Sequence, residues 1–216
     1  MEKLRILCFG DSLTWGFDPY KKNRIDEERR WTGVLQGLLG EGYRVVEEGQ
    51  NGRTIATEDP AEGEKNGLNY IIPCLESHKP LYLAIFMLGT NDMKRKFGYS
   101  SADIAGEMRR FLEKVQAYNR FRFNGKMNIL LLAPPLISTA GKGSWMEAGI
   151  DYDKASVISA ELPRLYRHLA EDLGCFFLDA SQVAEPSAAD GVHIDAENQI
   201  KLGRAVYAKL REERLV

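Results

Sequence analysis

Five short apolar runs, at residues 5–9, 43–48, 81–88, 127–133 and 175–179, alternate along the chain with stretches whose apolar residues recur at helical spacing. The runs are mostly apolar throughout rather than alternating with polar residues. That pattern marks strands covered on both faces, as parallel strands are. Helical patterns fall at 31–39, 66–78, 102–121, 153–173 and 196–210. The second carries Leu68, Ile71, Ile72 and Leu75 on one face. The third carries Ile104, Met108, Phe111, Leu112 and Val115 after Ser101 as a cap. Strand and helix in alternation predict an α/β layered fold around a parallel sheet. No linker interrupts the 216 residues, so 1–216 is read as a single domain.

Bulk properties narrow the function classes. A net charge of -2 argues against nucleic acid as a partner. The basic pairs and triplets, Lys21 with Lys22 and Lys94 with Arg95 and Lys96, read as solvated surface. Cys8, Cys74 and Cys175 are odd in number and form no CxxC, as expected of reduced, buried thiols. The first residues, Met1 to Arg5, pass directly into an apolar run too brief for a secretory leader, and no stretch approaches a membrane span. A cytoplasmic protein without membrane insertion is expected.

In open parallel sheets, ligands bind beyond the carboxyl ends of the strands. Here those ends carry Gly10-Asp11-Ser12, then Gly49-Gln50-Asn51-Gly52-Arg53-Thr54, then Gly89-Thr90-Asn91-Asp92, then Pro134-Pro135, and finally Asp190-Gly191-Val192-His193. Ser12 is a candidate nucleophile, but a serine hydroxyl is weak without a base. Of the three histidines, His78 and His168 lie in helical patterns, whereas His193 sits in a strand-end loop three residues after Asp190. That spacing suits a carboxylate that accepts the imidazole Nδ1–H and fixes the ring. The backbone N–H groups of Ser12 and Gly52 and the side-chain amide of Asn91 are candidate oxyanion donors. Taken singly, each cluster has an ordinary reading as a turn or cap. Their recurrence at successive strand ends is what points to one site.

The blocks Gly10-Asp11-Ser12-Leu13, the glycine block around Gly52, Gly89-Thr90-Asn91-Asp92 and Asp190-Gly191-Val192-His193 occur in the order found in GDSL-type, or SGNH, hydrolases, which this chain resembles. The resemblance implies a three-layer α/β/α, flavodoxin-like fold with a five-stranded parallel sheet. It implies Ser12 as nucleophile, His193 as base and Asp190 as its orienting acid. Ser12, Gly52 and Asn91 would form the oxyanion hole. FGDSLTWG, RWTGVL and MLGTND are similar to the arylesterase and acyltransferase branch, whose members hydrolyse short acyl esters, can transfer the acyl group to alcohols and are often homo-oligomers. Gly52 stands where that branch can carry a small residue with a side chain.

The expected activity is therefore that of a carboxylic-ester hydrolase acting on a small-molecule ester, with no metal or organic cofactor required. A carbohydrate acetylesterase, a lysophospholipase or a thioesterase would use the same residues. Outside enzymes, a silent glycan-binding module would be expected to carry a broken triad. A flavin protein would want a Ser/Thr-rich loop after the first strand, which GDSLTWG does not offer. Asp11 reads as a cap beside the nucleophile or a substrate contact. Trp15 and Phe17 read as core or as walls of the acyl pocket. Trp145, in the glycine-containing segment 134–150, reads as its rim, with that segment a lid or an oligomer contact.

Overall fold

The computed structural model describes residues 3–216; Met1 and Glu2, part of the N-terminal stretch weighed above as a leader, lie outside the described residues. Strands β1 (Leu4–Gly10), β2 (Tyr43–Gly49), β3 (Leu83–Met87), β4 (Asn128–Ala133) and β5 (Phe176–Asp179) form one sheet. Its order is β2-β1-β3-β4-β5 and every pairing is parallel. The chain therefore builds outward from β1 in one direction, then returns to build β3, β4 and β5 in the other. The direction reverses at β1, the place where sheets of this kind bind their ligands beyond the strand ends.

Side chains of the central strands alternate between two cores, as the pleat requires. Leu7 and Phe9 of β1, Ala84 and Phe86 of β3, and Leu131 of β4 face helices α3 (Gly67–His78), α4 (Ser101–Arg122) and α5 (Tyr152–Leu173). Ile6, Cys8, Ile85, Leu130 and Leu132 face α2 (Trp31–Leu39) and α6 (Ala196–Glu212). Covering on both faces explains why these strands read as continuous apolar runs.

The register sets the site. Gly10 of β1 lies opposite both Gly49 of β2 and Met87 of β3, so three strand ends finish level. Element bounds differ from the sequence reading by one or two residues, and two of the differences have a clear physical reason. The cap of α4 is Ser100 rather than Ser101, because Ser100 and Asp103 form a reciprocal capping box. The expected strand at 81–88 is shorter, Leu83–Met87: Leu81 and Leu88 are buried without pairing. Cys8 and Cys74 are buried thiols, while Cys175 precedes β5 and is half-buried.

Phe111 of α4 joins helix to sheet through Phe86, with ring centroids 5.1 Å apart edge to face, and through Phe9 at 5.8 Å. Truncating it to alanine removes a fully buried ring from this junction. Phe111→Ala should cost about 3–5 kcal/mol of stability, read as a lower urea midpoint with an unchanged m-value.

Candidate active site

Ser12 opens a one-turn helix, α1 (Ser12–Trp15), immediately beyond β1. Asp11 is its N-cap, and Asp11 Oδ1 accepts the Leu13 N–H at 2.9 Å. Gly10 is required by space: a Cβ there would lie 2.1 Å from Thr14 Oγ1 and 2.8 Å from the Met87 carbonyl oxygen. The turn closes with the Gly16 and Phe17 N–H groups both donating to the Ser12 carbonyl. This returns the chain across the strand ends.

The loop before α6 delivers the imidazole. Asp190 Oδ1 accepts the backbone N–H groups of Val192 and His193, at 3.0 and 2.9 Å. Its Oδ2 lies 2.7 Å from His193 Nδ1, and His193 Nε2 lies 3.0 Å from Ser12 Oγ. Carboxylate, imidazole and hydroxyl thus form one unbroken chain. Tyr152 braces it by donating its hydroxyl to the Asp190 carbonyl at 2.5 Å, and Ser138 N–H donates to the Gly191 carbonyl. Burial alone would push the Asp190 carboxyl up. The hydrogen bond and charge of His193, with the two backbone N–H groups, outweigh it and hold Asp190 below the ordinary carboxylate value.

The loops after β2 and β3 are joined to each other, and the first of them to the end of β1. Asn91 Nδ2 donates to the Arg53 carbonyl at 3.1 Å, which sets the Asn91 amide against the Arg53-Thr54 peptide. Gly52 has φ +82°, where a side chain is strained; a Cβ would also meet the movable tips of Glu62 and Lys65. Glycine at this position therefore suits the loop's own conformation.

Two residues without an assigned role in the sequence reading hold this loop. Arg53, 2% exposed, donates through Nη1 to the Gly10 carbonyl at 2.8 Å and to the Glu48 carbonyl. Its guanidinium lies 4.1 Å from the Phe9 ring centroid. Asp92, fully buried, accepts the Ile55 N–H through both oxygens at 3.1 and 3.2 Å. Their presence in the second and third tip clusters was the available signal, but only the fold reveals their partners.

The aromatic expectations divide. Phe17 lies 4.5 Å from the His193 ring and 5.9 Å from Trp145, and Trp145 is parallel to His193 at 6.2 Å. Both flank the imidazole. Trp15 does not belong to this group: its half-buried ring lies beneath the Arg24 guanidinium at 5.2 Å. Asp11 has no accessible surface, so the substrate contact considered for it is corrected to capping alone. His168 is a surface residue beside Glu171.

Among the described residues, Glu48, Cys74 and His78 bring three donor atoms within 4.8 Å of one another. This grouping could hold a metal by composition. It already has internal partners, since His78 Nε2 meets Glu48 Oε1 at 2.7 Å and Arg53 supplies a positive charge to Glu48 and Cys74.

A model of the GDSL-like lipase/acylhydrolase family matches residues 8–209. The chain belongs to this family. It is an ester-hydrolysing enzyme with the SGNH hydrolase fold. It is similar to Est24, a carbohydrate acetylesterase from Sinorhizobium meliloti, at 35% identity and a TM-score of 0.89, over 98% of this chain and 100% of that one. It is equally similar to the M. smegmatis aryl esterase, at 35% identity and a TM-score of 0.89, over 97% and 99%. Comparison with proteins of curated function finds no match. No helix among the described residues is long and apolar enough to cross a membrane.

Two buried carboxyls of this esterase give a pH signature. Burial pushes Asp11 up to about 6, against the Leu13 N–H bond and the charges of His193 and Arg53. Burial pushes Asp92 up to about 7, with Asp11 adding repulsion against the Ile55 N–H. An unfolded aspartate titrates near ~3.9. Between that value and the folded ones, the folded chain holds protons that the unfolded chain has lost, so rising pH lowers stability across that window. Asp92→Asn removes one such group. Urea midpoints measured at about pH 5 and about pH 8 should therefore move in favour of the variant as pH rises. An unchanged difference would mean that Asp92 does not titrate there.

Proposed function

We propose that this esterase cleaves short-chain and aryl carboxylic esters through a covalent acyl-enzyme, with Ser12 as nucleophile, His193 as general base and Asp190 as its orienting acid. The observation that carries this reading is the continuous chain Asp190 Oδ2, His193 Nδ1, His193 Nε2, Ser12 Oγ, at 2.7 and 3.0 Å, in a family of acylhydrolases. Ser12 Oγ attacks the ester carbonyl while His193 Nε2 takes its proton. Charge that develops on the carbonyl oxygen is received by the Ser12 and Gly52 N–H groups and the Asn91 amide. The imidazolium, held by Asp190, returns its proton to the departing alkoxide, leaving acyl-Ser12 and an alcohol. Water activated by the same imidazole, or a second alcohol, then accepts the acyl group. Every proton in the cycle passes through His193 Nε2, so no cofactor is called upon.

Phe17 and Trp145 supply the walls of the substrate site in this reading. A second reading, deacetylation of acetylated carbohydrate, is favoured by the similarity to the S. meliloti acetylesterase and uses the same groups. Transfer to alcohols, self-association and action in the cytoplasm as one domain over 1–216 are carried with the main reading. Light scattering on the purified protein reads the association directly.

Ser12→Ala should lower kcat for 4-nitrophenyl acetate by about 10⁴-fold or more, with the fold retained by circular dichroism. The wild type should label with a fluorophosphonate at Ser12 and the variant should not. Undiminished turnover in the variant would refute the assignment. A series of 4-nitrophenyl esters from acetate to decanoate, run beside acetylated xylan, separates the two readings.

A further inference from the structure

The Ser12–His193 contact joins groups 181 residues apart in sequence. Ser12 rides on α1 at the end of β1, whereas His193 precedes α6 by a short loop whose Asp195 caps that helix. A reacting pair built this way depends on how α6 is fixed against α1. Aligning a hydroxyl with a base is a matter of tenths of an ångström, and misplacement by about 1 Å can cost a hundredfold in rate.

Gln199, on the first turns of α6, is fully buried. Its Nε2 donates to the Leu13 carbonyl at 2.8 Å, and its Oε1 accepts the Trp31 N–H at 2.9 Å. Leu13 is the residue after the nucleophile. Trp31 is the first residue of α2, a helix whose N-cap, Arg30, provides no side-chain hydrogen bond. One amide therefore fills two vacant backbone positions, a helix N-terminal donor and the carbonyl next to Ser12. Each partner dictates one end of the amide, so the side chain has a single orientation. Leucine can make neither bond. Glutamate accepts from Trp31 but sets a carboxylate against the Leu13 carbonyl.

We propose that Gln199 is a positioning residue for the reaction: its amide locks the nucleophile turn to α6 and thereby sets the Ser12–His193 distance. Gln199 touches neither reactant, so it acts through these two elements. The inference rests on the Ser12–His193 reading given above. Its consequence is kinetic. With the lock removed, substrate still meets the same aromatic walls and oxyanion donors, but proton transfer from Ser12 to His193 slows.

The test compares wild type, Gln199→Leu and Gln199→Asn, the last keeping the amide but one methylene too short for both partners. Active sites are counted by fluorophosphonate titration, and rates are measured well below each protein's Tm. Per titrated site, kcat for 4-nitrophenyl acetate should fall about tenfold to a hundredfold, with KM within about threefold of wild type. The second-order rate of fluorophosphonate labelling should fall in parallel. A lower Tm with wild-type kcat per site in either folded variant would reduce Gln199 to a structural residue and overturn the proposal. If Gln199→Leu does not fold, the Gln199→Asn ratio decides. If the wild type itself neither labels at Ser12 nor turns over the ester, the active-site assignment fails instead, so the two failures are distinguishable.

Discussion

The 3.0 Å approach of His193 Nε2 to Ser12 Oγ is the contact on which the rest of the molecule depends, because it draws together opposite ends of the chain. It is not held by local structure. β1 places Ser12 at the middle of the sheet edge; the last loop, hung between Ser138, Tyr152 and Ser187, places His193 over it. Asp190 contributes twice, accepting two backbone N–H groups through one oxygen and orienting the imidazole through the other. The same carboxylate therefore shapes its loop and aims the ring.

Beneath the strand ends lies a layer of buried charge. Arg53 reaches the carbonyls at the ends of β1 and β2, and Asp92 holds the N–H of Ile55 just beyond. Asp11 caps the nucleophile turn from below. Buried charges are costly unless paired or hydrogen-bonded. Here each is hydrogen-bonded to backbone groups at the strand ends and in the turns that follow them. Together these side chains tie the backbone beneath the site into one floor.

The fold was legible because parallel strands covered on both faces announce themselves as apolar runs, and because such sheets display chemistry only at their carboxyl ends. The run at 81–88 overreached, since hydrophobicity reports burial, and Leu81 and Leu88 are buried outside the ladder. That Ser12 and the Asp190–His193 loop would meet followed from the same rule. Which aromatic would face the imidazole did not. Trp15 and Phe17 are separated by one residue, and their different destinations follow from the left-handed Gly16 that reverses the chain between them. Arg53, Asp92 and Gln199 were beyond reach for a related reason. Each acts on a backbone group distant in sequence, and nothing in a single side chain names its partner.

The parallel stack of Trp145 on His193, with planes 7° apart, also has an optical consequence. An imidazolium quenches indole emission more strongly than a neutral imidazole does. The near-parallel indole thus sets an intrinsic fluorophore beside the ring that would shuttle protons, where its emission is exposed to whatever happens at that imidazole.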